Sequence, residues 1–359
     1  MTTTARPPVT APAKNRNILS RGLEALLTQR IVLLAVLIVV VLVVMLSLDV
    51  GGFLSGSYNA DYLASSLISA VPLVLLGLAQ LLVIVSGRGG IDLSVGSIVS
   101  LTGVVFGLAY GVWNLGFPAS LLIAVVTGIA CGAVNGVLVA YVGFPPLIAT
   151  LATYYAFRSI ALVVSDQKPI NSQEIQDFYS AAQSIELPLI GGSLPLIPLG
   201  IFTFLIPSVI VVWLVLNKTT FGRRLYALGT NDVAAAWSGI DVRANRMAVY
   251  AISGALAGLV AVVTVAQFAS ARPDAGTSGS GMALPAITIA VLGGVAITGG
   301  IGRVSGIVLA TLLIVWLNAG ILLALPGNDG TQFQLLALGL VLIFASLLNG
   351  LTKRKYGGI

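Results

Sequence analysis

The sequence predicts an all-α polytopic membrane protein of about ten transmembrane helices with both termini in the cytoplasm. Three observations lead there. Mean hydropathy is +1.04, and the 359 residues are 57% hydrophobic but only 8% charged, where an ordinary soluble domain carries about 25% charge. The apolar residues form continuous runs rich in Leu, Val, Ala and Gly, not the alternating segments of about ten residues that build a membrane barrel. Lys and Arg, finally, fall on one side of a ten-span threading.

Residues 1–30 read as a polar cytoplasmic arm, running into an amphipathic approach helix near Ile18–Leu27. Its basic stretch is long and the run Ile31–Leu48 reaches spanning length, so the reading is a first crossing, not a cleavable signal. Further crossings are expected at Leu63–Val85, Val95–Val112, Ala119–Val142, Leu147–Val164, Leu199–Leu216, Met247–Phe268, Met282–Ile297, Val304–Leu323 and Phe333–Leu348. Met282–Ile297 is short and ends in glycines, which fits a tilted, broken or re-entrant element. The transmembrane domain is thus 31–352, with an external loop at 165–198, a cytoplasmic loop at 217–246 and a basic cytoplasmic tail at 353–359. Gln173–Ile185 within the external loop is expected to form a surface helix.

With the amino terminus inside, the inner side holds Arg6, Lys14, Arg16, Arg21, Arg30, Arg88, Lys218, Arg223, Arg224, Arg243, Arg246, Arg303, Lys353, Arg354 and Lys355. Only Lys168 and Arg272 fall outside, and Arg158 lies within a span. Asp49, Asp61, Asp166, Glu174, Asp177, Glu186, Asp274 and Asp329 all fall outside. One missed helix would invert every later loop and destroy this asymmetry. The +6 net charge therefore records orientation, not nucleic-acid binding.

Several function classes drop out. The sequence has no His, and its single Cys131 sits inside an apolar run, so neither an internal disulfide nor a His-based metal site is available. The spans hold almost no ionisable groups on which a proton or ion relay could run. Gly294–Gly300 continues into Ile301-Gly302-Arg303 without the lysine of a phosphate-cradling loop. A solute carrier of this composition must draw energy from a partner or run downhill. A secondary carrier and a membrane scaffold remain as rivals, and no cofactor is expected on this chain.

The longest polar interruption with a dense basic cluster is Lys218–Arg246. Within it, Asn231 or Asp232 can cap a short helix over Val233–Ser238, with Gly239 in the left-handed closing position. Gly87–Ser97 is a second special stretch. Gly89 and Gly90 permit a tight turn, Asp92 or Ser94 can cap the next helix, and Arg88 can neutralise Asp92. Leu292–Arg303 carries Gly299, Gly300 and Arg303 in a loosely similar arrangement, a hint of an internal repeat. Gly128, Gly132 and Gly136 on one span, and Gly254 and Gly258 on another, have the spacing of close helix packing. Gln80, Asn135, Gln267 and Asn318 either line a route for a hydroxylated solute or bond neighbouring helices. Arg158, beside Tyr154 and Tyr155, either snorkels to the interface or meets a solute entering from outside.

GRGGIDLSVGS at 87–97, GRRLYALGTNDVAAAWSGI at 222–240 and VLGGVAITGGIGRVSG at 291–306 resemble the inner-membrane permeases of ABC importers. The nearest branch includes the ribose, xylose, arabinose and galactose systems, and the likeness runs from about residue 60 to about 350. It implies import of a monosaccharide or similar small polar solute, with branched-chain amino acids or nucleosides as the alternative cargo. It also implies a second permease copy or paralogue, two ATP-binding subunits carrying the Mg-ATP, and an extracytoplasmic solute-binding protein. The family's coupling helix maps onto Gly222, Arg223, Tyr226, Ala227, Gly229, Asn231, Ala234, Ala235, Ser238, Gly239 and Ile240. Asp232 stands where Glu is frequent, and Ala236-Trp237 replaces a stretch that is more often polar.

Overall fold

The computed structural model describes residues 29–182, 184–185, 195–279 and 281–356. The arm at 1–28, with its expected approach helix, lies outside the described residues. Among those described, nine helices are long and apolar enough to cross a membrane: α1 (Arg30–Val50), α2 (Ala60–Val85), α3 (Val95–Val112), α4 (Phe117–Val142), α5 (Pro146–Val164), α7 (Ile201–Lys218), α10 (Val242–Phe268), α12 (Val304–Ala324) and α13 (Asn328–Tyr356). Shorter helices are α6 (Gln173–Ala181), α8 (Thr220–Thr230), α9 (Asp232–Trp237) and α11 (Ala283–Leu292). The only strands among the described residues, β1 (Ser184–Ile185) and β2 (Ile197–Pro198), pair antiparallel. The expected surface helix stops at Ala181, four residues early, because residues 184 and 185 join that ribbon.

Helix ends follow chemistry that apolarity alone does not report. α10 begins five residues before its apolar run, since Asp241 accepts from Ala244 N at 2.9 Å and starts the helix on Val242. α6 is started in the same way by Ser172 accepting from Ile175 N. α3 and α4 each close on a π-helical turn, at Leu108–Val112 and Leu138–Val142.

α2, α3 and α10 are the buried centre, and the outer helices leave much apolar surface exposed. The α4–α10 seam is a close backbone approach between two spans. A Cβ on Gly128 would overlap the Gly254 carbonyl, one on Gly132 the Tyr250 carbonyl, and one on Gly258 would stand 2.8 Å from the Ala124 carbonyl. The four-residue glycine spacing therefore packs backbone on backbone, as small-residue seams do in lipid.

The threading puts Arg30, Arg88, Arg223, Arg243 and Arg303 at one end of the bundle, here the basic end. Asp49, Asp61, Asp166, Glu174 and Asp274 lie at the other, the acidic end. The eighth crossing in chain order is not a plain helix. After α10 the chain runs back into the bundle as irregular backbone, forms the ten-residue α11, and reaches the basic end through a second set of turns.

Candidate functional site

At the basic end, α7 breaks at Thr219, whose extended backbone (φ −106°, ψ 161°) starts α8. The Thr219 hydroxyl donates to Val215 O at 2.6 Å and accepts from Gly222 N at 3.2 Å. Gly222 is needed for this corner, because a Cβ there would overlap the Leu216 carbonyl. Expected as a loop with one short helix at Val233–Ser238, Lys218–Arg246 is almost wholly helical. α8 turns Leu225 and Leu228 inward and Arg223 and Arg224 outward.

α9 follows at once. Of the two candidate caps, Asn231 fills the role, its Oδ1 accepting from Ala234 N at 3.0 Å. Gly239 takes φ +81° and ends the helix, and Ile240 N reaches back to the Ala235 carbonyl. Ala235 faces inward, while Ala234 and Ser238 are exposed. Val233 and Trp237 stand out, 62% and 88% exposed, four residues apart and so on one face of the helix.

The three special stretches of the sequence meet under α9. The Gly300 amide donates to the Val85 carbonyl at 3.0 Å. A Cβ on Gly229 would overlap that same carbonyl and the Gly300 amide, and one on Gly299 would overlap the Cα of Gly87. Tyr226 donates from its hydroxyl to Gly302 O at 2.8 Å. Partial burial raises the Tyr226 hydroxyl above the ordinary tyrosine range, and the charge of Arg303 opposes the shift. Three backbone segments pack here at distances only glycine allows, so α8 and α9 cannot shift without moving the ends of α2 and α12.

Charge fastens the same joint. Arg88 does not neutralise Asp92; its Nε pairs with Asp232 Oδ2 at 3.3 Å. Arg246, with a side chain 3% exposed, reaches Asp232 Oδ2 at 3.7 Å and donates to Ser86 O at 3.3 Å. Arg88 lies on a turn that sends its side chain to the surface, whereas Asp92 lies inside, and that separation prevents the expected pair.

Asp92 is fully buried and satisfied by neutral donors. Its Oδ1 accepts from Ser94 N at 2.9 Å and Ser94 Oγ at 2.6 Å, and its Oδ2 accepts from Ser253 Oγ at 3.2 Å. Ser94 holds the cap position of α3, but its hydroxyl serves Asp92 and makes no capping bond. Gln80 brackets the Asp92 backbone, donating to its carbonyl at 2.5 Å and accepting from its amide at 3.3 Å. Asn135 donates to Ser94 Oγ at 2.7 Å and accepts from Thr153 Oγ1 at 2.6 Å. Thr150 bridges Ile91 and Leu93. The turn thereby ties together α2, α3, α4, α5 and α10.

The six candidate pathway residues do not converge. Gln80 and Asn135 are spent on the Asp92 turn. Gln267, near the acidic end, donates to Ile68 O at 2.8 Å and lines an apolar cavity of about 510 Å³ with Phe117, Phe178 and Phe204. Asn318 is half-buried, and its backbone carbonyl accepts from Gln334. Tyr154 meets Tyr155 edge to face at 5.2 Å, with Arg158 exposed on the same helix. Sequence reasoning missed Ser253, Thr150, Thr153 and the burial of Arg246. The available signal was Asp92 itself, since a buried carboxylate requires donors and apolar spans supply them only as Ser, Thr, Asn or Gln.

Residues 62–346 match the family model described as the branched-chain amino acid transport system permease component. The chain is 35% identical to the D-allose transport system permease protein of Escherichia coli strain K12 over 283 residues, covering 78% of this chain and 81% of that protein. It is 36% identical over 262 residues to the ribose import permease protein of the same strain, covering 72% and 77%. The autoinducer 2 import system permease protein of Salmonella typhimurium strain LT2 is 33% identical over 261 residues, covering 72% and 76%. No solved structure matches the chain.

Proposed function

Because this chain belongs to the family of transport-system permease components, we propose that it is the membrane subunit of an ATP-driven importer that moves a monosaccharide into the cytoplasm. In this reading the basic end faces the cytoplasm, where two ATP-binding subunits dock. A solute-binding protein delivers cargo at the acidic end, and a second copy or a paralogue completes the pore. The chain itself hydrolyses nothing. Two relatives named for D-allose and ribose support the cargo class. The family's description keeps branched-chain amino acids as the second reading.

The observation that carries the mechanism is the two-faced setting of α9. Asp232 fastens it to Arg88 and to Arg246 of α10, and Gly229, at the end of α8 that leads into it, packs on Val85 of α2 and on Gly300, while Val233 and Trp237 stand in solvent. A large apolar pair exposed on a rigid mount is what a docking partner covers. Movement of such a partner transmits to the whole bundle, because the joint beneath has no slack.

Trp237→Ser tests the docking. It removes the knob without touching Ala235 or the cap, so insertion and fold are expected to be unchanged. Association with the ATP-binding subunits should weaken about tenfold or more, and uptake of D-allose or ribose should fall with it. Unchanged co-purification and uptake would overturn the coupling assignment. Uptake that persists without ATP but stops when the proton or sodium gradient collapses would instead establish a secondary carrier. A panel of D-allose, ribose, leucine and a nucleoside separates the cargo readings.

A further inference from the structure

Between α10 and α11 the chain enters the bundle as irregular backbone. Ala271 pairs with Ile170 in both directions, at 2.9 and 3.0 Å, and stands against Gly107 near the acidic end of α3. Five residues later Gly276 donates to Ser100 Oγ at 3.0 Å and packs on Gly96 so closely that a Cβ on either glycine would overlap the other's carbonyl. Gly107 and Gly96 are separated along α3 by about 16 Å at 1.5 Å per residue. The segment 271–276 is therefore non-helical backbone that descends about half of a hydrocarbon core roughly 30 Å thick.

Its inner side is well accounted for. Ala271, Pro273, Gly276 and Thr277 are buried, and Arg272 grips Asp274 in two bonds of 3.3 and 3.2 Å toward the acidic end. The tip is different. Ser278 and Gly279 are exposed at membrane depth, Gly279 has φ +60°, and a Cβ added there would meet nothing within 4 Å. The Ser278 amide donates to Asp274 O at 2.8 Å and its carbonyl accepts from Gly281 N at 3.0 Å, so the group the tip exposes is the Ser278 hydroxyl. That hydroxyl does not face acyl chains, because a polar group without a partner there costs several kcal/mol. Irregular backbone at this depth survives only inside protein or against water.

We infer that Ser278 and Gly279 line the water-filled route of the transported solute, where Ser278 offers its hydroxyl to a small polyhydroxylated molecule. The inference rests on the importer reading. It adds a location, the re-entrant tip between α10 and α11, to the Gln80 and Asn135 positions that the sequence suggests and that are spent on the Asp92 turn. The fixed underside at Gly96 and Ser100 gives this wall a connection to α3, whose first turn rests on Asp92. Motion at the basic end therefore reaches it through packed backbone.

The test uses the single cysteine of the chain. In a Cys131→Ala background, Ser278→Cys is compared with Leu340→Cys, which lies 57% exposed on the apolar surface of α13. Membranes containing the full chain are treated with a charged, membrane-impermeant methanethiosulfonate. Ser278→Cys should react about tenfold faster or more, as a site in water does relative to one in hydrocarbon. Whatever uptake of D-allose or ribose the substitution leaves, modification should lower it about tenfold further, because the added charged group blocks the route. A rate no greater than that of Leu340→Cys, reaction only after dispersal in detergent, or full modification without loss of uptake would each overturn the inference. If the unmodified protein takes up neither sugar, the cargo assignment alone fails, and the labelling rates still decide whether Ser278 faces water.

Discussion

Gly229 shows how one hydrogen in place of a methyl group decides a joint. Its Cα faces the Val85 carbonyl and the Gly300 amide with no room for a Cβ, and the obstruction is backbone on both sides, so no side chain can rotate away. Gly229→Ala should lower stability by about 1–3 kcal/mol, read as a fall in the thermal midpoint of the purified protein. Gly339→Ala, where a Cβ meets nothing within 4 Å, is the control and should be neutral or slightly stabilising. Asp232 makes a second contrast. Its pair with the 64%-exposed Arg88 is worth about 0–1 kcal/mol after solvent screening, whereas Arg246 is buried and left short of a partner when the carboxylate goes. Arg88→Ala should therefore be nearly silent in stability, and Asp232→Ala should cost about 1–3 kcal/mol. Equal effects in the same melting assay would mean that burial does not govern this cluster.

At the scale of an element, α9 is six residues long and far below the length at which a helix persists alone. It exists because Asn231 caps it, Gly239 closes it and Ala235 packs beneath it. Asn231→Ala removes a cap worth about 0.5–2 kcal/mol. The loss should appear locally, as faster amide exchange across 232–238 with α10 unchanged, together with reduced uptake. Exchange that rises equally in α10 would show that the two helices melt as one unit. The sequence made α9 legible because its cap and closing glycine are local signals. α8 was not legible: TFGRRLYALGT reads as polar loop by composition, and its helix rests on tertiary contacts of Leu225, Leu228 and Tyr226.

At the scale of the whole molecule, composition, run length and charge asymmetry establish a helical bundle that returns to its starting side, and the structure places its spans within a few residues of the apolar runs. Those properties come from partitioning each segment into lipid, a local sum over its own side chains. The motifs at 87–97, 222–240 and 291–306 were also visible in the sequence, as was the α4–α10 glycine seam. That the three motifs are one joint, that Arg88 serves Asp232 and leaves Asp92 to Ser94 and Ser253, and that the eighth crossing places a polar tip inside the bundle were decided only by the fold. A contact between residues more than a hundred positions apart depends on which helix faces share a depth and an azimuth, and hydropathy carries neither.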